Sequence, residues 1–94
     1  MVLHLLPERP GPAPETAGPR AGFVVGRAVG NSVVRHRVTR RLRAVVRDEL
    51  HRLPATADLV VRARPEAGDA TSELLRRDLT AGLDRLLGDR VRSR

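Results

Sequence analysis

Six arginines, Arg35, Arg37, Arg40, Arg41, Arg43 and Arg47, share a short window with His36, and no acid lies between Gly30 and Arg47. A guanidinium carries five N–H donors in a planar fork that matches phosphate oxygens two at a time. Like charges three or four residues apart on a helix repel, so the array costs stability unless a polyanion compensates it. Ordinary solvated helix faces mix Glu with Lys or Arg at that spacing. The window therefore predicts a nucleic-acid contact, dominated by phosphates and strongly salt-dependent. Charge alone does not choose between DNA and RNA.

The surplus is local. The 94-residue chain has a net charge of +7, and residues 27–52 hold eight arginines (the six above with Arg27 and Arg52) against Asp48 and Glu49. All 18 basic residues are arginine. A GC-rich genome accounts for that preference, so the clustering is the informative feature. Other chemistry is sparse. Ser32 and Ser72 suit helix caps, and Ser93 lies in the tail. His4, His36 and His51 are scattered, and none forms an i, i+4 pair beside a carboxylate, so neither a metal site nor an acid/base pair is expected. Cysteine is absent, which excludes disulfide partners and fits a reducing cytosol. No apolar run approaches the roughly 18 residues of a membrane span, and MVLHLL is too short for a signal-peptide core. The expected location is cytoplasmic, with no membrane partner.

The elements that must hold the arginines are legible in outline. Residues 1–6 look like a strand, and residues 7–19, with five prolines, like a loop. Residues 20–26 read as a second strand, with Ala21, Phe23 and Val25 on one face and Gly22, Val24 and Gly26 on a nearly bare other face. Gly30 permits a turn, and Asn31 or Ser32 can cap a helix. At about 100° per residue, Val34, Val38, Leu42, Val45, Val46 and Leu53 form one side of a helix predicted to reach about Arg52. His36, Arg37, Arg40, Arg43 and Arg47 form the other. DLVVRA, residues 58–63, is a third strand. A last helix starts at caps within residues 69–72, carries Leu75, Leu79, Leu83 and Leu86 inward, and stops at Gly88. Residues 88–94 read as a frayed basic tail. The whole chain, 1–94, is thus expected to form one α/β (α+β) two-layer sandwich, with helices on one face of a small sheet.

The segment from Arg27 to Arg43 resembles the bacterial ribonuclease P protein family. The family pattern is Val-Gly-Asn-Ala-Val followed by Arg-Asn-Arg, one residue, Lys-Arg, two residues and Arg-Glu. Here Val29-Gly30-Asn31-Ser32-Val33 precedes Arg35-His36-Arg37, Val38, Thr39-Arg40, Arg41-Leu42 and Arg43-Ala44. His36, Thr39 and Ala44 replace the family's Asn, Lys and Glu, and Ala28 replaces a frequent Lys. Thr39 loses a charge that Arg41 can restore, and both His36 and Thr39 keep a hydrogen-bond donor.

The resemblance implies the protein subunit of a ribonucleoprotein that removes the 5′ leader from precursor tRNA, with the RNA supplying the chemistry. It implies ribonuclease P RNA and precursor tRNA as partners, and Mg²⁺ held by RNA phosphates rather than by protein. It also implies the second-domain fold of ribosomal protein S5, with a left-handed crossover that the general handedness rule does not predict. By the same resemblance, Arg35, Arg37, Arg40 and Arg43 contact the catalytic RNA. Arg27, Asn31, His36, Arg41 and Arg47 complete the RNA-binding set, and Gly22, Val24 and Gly26 lie at the leader cleft.

Family members usually begin with a basic helix carrying Phe ahead of the first strand, whereas this chain opens on MVLHLL. A start assigned too far downstream accounts for this, and a truncated copy is the alternative. Either way, the free 94-residue chain is expected to be marginally stable. The competing functional readings are an RNA-binding remnant without processing activity and a DNA-binding module with its basic helix in a major groove. The DNA reading lacks the short partner helix of a helix-turn-helix.

Overall fold

The computed structural model describes residues 1–6 and 18–92, with side chains as far as Gly88. Three five-residue strands, β1 (Val2–Leu6), β2 (Arg20–Val24) and β3 (Asp58–Arg62), form one sheet in the order β1-β3-β2. β3 is central, and its Leu59 and Val61 are completely covered, as a strand with neighbours on both sides and helices above requires. β1 pairs with it antiparallel, setting Leu3 opposite Val61 and Leu5 opposite Leu59. β2 pairs with it parallel, setting Ala21 opposite Leu59 and Phe23 opposite Val61. A parallel neighbour cannot be reached by a tight turn, so the chain crosses over between β2 and β3 through a helix. That crossover is α1 (Ser32–Arg47), and α2 (Ser72–Arg92) follows β3.

Alternation assigns the two faces of the sheet. Leu3, Leu5, Ala21, Phe23, Leu59 and Val61 turn inward against Val38, Leu42, Val45 and Val46 of α1 and Leu75, Leu79 and Leu83 of α2. Each fully buried Val or Leu contributes about 1.5–3 kcal/mol of transfer free energy, so the apolar stripe is what fixes α1 on the sheet. The opposite face presents His4, Leu6, Gly22, Val24, Val60 and Arg62 to solvent. Both helices therefore lie on one side, as the sequence predicts. No described helix is long and apolar enough to cross a membrane.

α1 begins where local chemistry dictates. Gly30 has φ +155°, and a Cβ there would lie 2.8 Å from the Val34 Cβ, so backbone and space both demand glycine. The Asn31 side-chain oxygen then accepts the Val34 N–H at 3.0 Å and caps the helix.

The other end differs from expectation: α1 stops at Arg47 rather than near Arg52. The Glu49 N–H donates to the Val46 carbonyl, and Leu50–Arg52 tighten into a 3-10 turn ahead of Pro54. Leu53 is still buried, but beyond the helix. α2 also departs from its predicted bounds. Thr71 caps it, accepting the Leu74 N–H at 3.2 Å. It runs through Gly88 to Arg92, so the predicted basic tail is largely helical, and residues 93–94 lie outside the described residues. Glycine inside a helix costs about 1 kcal/mol but does not end it. Leu86 is exposed, and Leu87 packs against the core in its place. Of the predicted loop 7–19, only Gly18 and Pro19 are among the described residues.

Candidate nucleic-acid interface

Because α1 spends one stripe on the core, its remaining surface is what the arginines share. At about 100° per residue, Arg43, His36, Arg47 and Arg40 fall within an arc of about 60°, centred opposite the buried stripe. All four are exposed. Ser32, Val33, His36, Arg37 and Arg40 line an open concavity at the N-terminal half of the helix. Arg27, in the 3-10 turn Arg27–Val29 that leads into Gly30, is exposed beside them in sequence.

The ion pairs explain why this face is electropositive. Asp48 pairs with Arg76 at 2.9 Å, Asp84 with Arg52 at 2.6 Å and Glu49 with Arg52 at 3.2 Å. The Arg52 guanidinium is held above its ordinary range, chiefly by the Asp84 hydrogen bond, with Glu49 adding and partial burial opposing. Arg20 makes a fork to both oxygens of Asp58, at 3.1 and 3.4 Å. None of these acids reaches the outer face of α1. Among the described residues, Arg27, Arg35, Arg40, Arg43 and Arg47 have no carboxylate partner. The exposed, unneutralised guanidinium groups of Arg40, Arg43 and Arg47 on one face are chemically suited to closely spaced phosphates.

The other predicted contacts divide. Arg37 lies just beyond the Arg40 edge of the arc and Arg41 further round, towards Val34, and both are half-buried. Arg37 Nη2 donates to the Gly68 carbonyl at 3.2 Å, and Arg41 Nη1 to the Ala70 carbonyl at 2.7 Å. Arg35 falls outside the arc, on the core side of the helix at the angle between Leu42 and Val46, and is half-buried; the Nε atoms of Arg35 and Arg37 are buried without an acceptor. Asn31 uses its side-chain oxygen as the helix cap. Thr39 donates its hydroxyl to the Arg35 carbonyl one turn back, at 2.9 Å, so the donor credited to it from sequence is spent within the helix.

The second predicted surface is the uncovered sheet face. Gly22 and Val24 are exposed with the alternation the sequence suggested, whereas β2 ends at Val24 rather than at Gly26, so Gly26, also exposed, lies past the strand at the start of the 3-10 turn. Register adds neighbours that were not singled out from sequence: Val60 stands beside Gly22, with His4 on the far side of Val60, and Arg62 stands beside Val24. Alternation within β1 and β3 carried the signal for them. Arg20, Gly22, Asp58 and Val60 line a shallow groove there. The turn Pro65–Asp69, which supplies the Gly68 carbonyl, also had no counterpart in the sequence reading. Its contribution is backbone acceptors, which side-chain patterns do not encode.

Known proteins resemble this chain in sequence and fold. Residues 1–87 match the family model described as Ribonuclease P. A ribonuclease P protein component from Streptomyces griseus is 60% identical over 74 residues, covering 79% of this chain and 60% of that protein. One from Streptomyces bikiniensis is 52% identical over 98 residues, covering 98% of this chain and 77% of that protein. One from Corynebacterium diphtheriae is 51% identical over 87 residues, covering 92% and 73% respectively. The solved structure of the Staphylococcus aureus RNase P protein superposes with a TM-score of 0.67 at 24% identity, over 89% of this chain and 72% of that one, a likeness of fold.

Proposed function

The chain belongs to the ribonuclease P protein family, and we propose that it serves as the protein subunit of that ribonucleoprotein, docking on the catalytic RNA through the outer face of α1. The observation that carries this is the exposed, unneutralised cluster of Arg40, Arg43 and Arg47 around His36, backed by an apolar stripe that makes the helix a rigid platform. A folded RNA offers phosphates from several strands to such a face, and each neutralised phosphate releases counterions.

The RNA supplies the chemistry of 5′ leader removal, and Mg²⁺ is held by its phosphates. The protein adds affinity and orientation for precursor tRNA. The bare sheet face around Gly22, Val24 and Gly26 takes the single-stranded leader: Gly22 has no side chain there, Val24 and Val60 give apolar area, and Arg62 gives charge.

The test is cleavage of a precursor tRNA by a bacterial ribonuclease P RNA at low Mg²⁺, where the RNA alone is slow. The wild-type chain should stimulate leader removal, and Arg40→Ala/Arg43→Ala should abolish most of that stimulation. Tight RNA binding without stimulation would instead favour a binding-only remnant. A preference for duplex DNA over structured RNA would overturn the assignment of partner.

A further inference from the structure

The turn Pro65–Asp69 lies across the N-terminal half of the crossover helix like a strap. Ala67 and Gly68 are buried, and the strap rests on the turn that ends at Val29. Contact there is close enough to fix the residue type. A Cβ on Gly68 would lie 2.5 Å from the Val29 carbonyl oxygen and 3.4 Å from Val34 Cγ1. Neither neighbour can yield easily, since one is backbone and the other leads into the core.

The hydrogen bonds from the arginine helix to this segment all end on carbonyl acceptors, one within the strap and one on Ala70 just after it. Gly68 offers its carbonyl to Arg37 and Ala70 offers its own to Arg41. Each arginine thereby spends one of five donors and becomes fixed on the strap side of the helix, and Arg37 lines the concavity beside His36 and Arg40. A free arginine loses rotamer freedom when it binds a phosphate, whereas one already held does not.

We propose that the Pro65–Asp69 strap is a positioning element of the RNA-binding surface, with Gly68 and the Ala70 carbonyl presetting Arg37 and Arg41 for the RNA. The proposal rests on the ribonuclease P reading and adds to it a buried segment outside the basic motif. Gly68 acts through Arg37, so its replacement matters only while Arg37 is present.

The experiment is a double-substitution cycle. Affinity for an in-vitro-transcribed bacterial ribonuclease P RNA is measured for wild type, Gly68→Ala, Arg37→Ala, Arg47→Ala and the pairs Gly68→Ala/Arg37→Ala and Gly68→Ala/Arg47→Ala, with melting curves on each. Gly68→Ala should weaken binding about 5- to 10-fold in the wild type, less than about twofold beside Arg37→Ala, and by its full factor beside Arg47→Ala. The same factor in all three backgrounds, or no effect in a folded variant, would overturn the proposal.

Should Gly68→Ala fail to fold, Arg37→Lys and Arg41→Lys decide. Lysine keeps the charge without the planar fork, so each should lose as much affinity as its alanine counterpart. Recovery to within about twofold of wild type would refute positioning. Failure of the wild type to bind RNA would sink the ribonuclease P reading itself, a result distinct from binding without coupling.

Discussion

α1 and α2 lie side by side on the same sheet and are alike on the inside. Each gives the core a stripe of branched aliphatics, and Leu42 and Leu79 are equally and completely buried. Their outsides are opposite. α1 carries six arginines and no acid, while α2 carries five arginines interleaved with Glu73, Asp78, Asp84 and Asp89. The acids that close α1, Asp48 and Glu49, are engaged by Arg76 and Arg52. Charge balance on α2 is what a helix does for itself, and charge imbalance on α1 is what it does for a partner. The comparison also shows that an arginine-rich composition is not the signal, because both helices have it.

The largest effect should fall where the helices agree. Leu42→Ala and Leu79→Ala should each destabilise the free protein by about 2–5 kcal/mol in thermal or urea unfolding. A large inequality between them would break the claim of a shared core.

Next comes the place where they differ. Arg40→Glu/Arg43→Glu on α1 should weaken binding of ribonuclease P RNA by roughly a hundredfold at about 0.1 M salt. The matched Arg77→Glu/Arg85→Glu on α2 should stay within about threefold. Equal losses would mean that only net charge counts.

The caps allow a finer comparison. Asn31→Ala and Thr71→Ala each remove one hydrogen bond at a helix start and should cost about 1 kcal/mol of stability. If Asn31 does no more than cap α1, its RNA affinity should follow the stability change alone. The smallest effect belongs to the exposed pair between the helices. Arg76→Ala should change stability by less than about 0.5 kcal/mol, because both side chains are near half exposed and solvent screens them.

Much of this arrangement was legible from residue order. Period-3.6 spacing of Val34, Val38, Leu42, Val45 and Val46 located α1 and its outward arginines, because burial and charge obey the same geometry. Alternation in β2 separated Phe23 from Val24 correctly. What escaped was local backbone. Leu53 continues the apolar spacing of α1, yet it reaches the core through a 3-10 turn, and spacing alone cannot distinguish the two routes. Gly88 looked like a stop, but a glycine ends a helix only where the next turn adopts another conformation. The sorting of arginines into exposed and carbonyl-held groups was also hidden. It depends on Gly68 and Ala70, some thirty residues away, whose side chains carry no polar signal.

The most direct test of the central claim is the salt dependence of binding between this protein and a ribonuclease P RNA. A plot of log affinity against log salt should be linear with a slope magnitude of about 4 or more, and Arg40→Ala/Arg43→Ala should reduce it by about 2, one for each lost phosphate contact. A slope unchanged by that double substitution would contradict the assignment of the outer face of α1 as the surface that meets RNA.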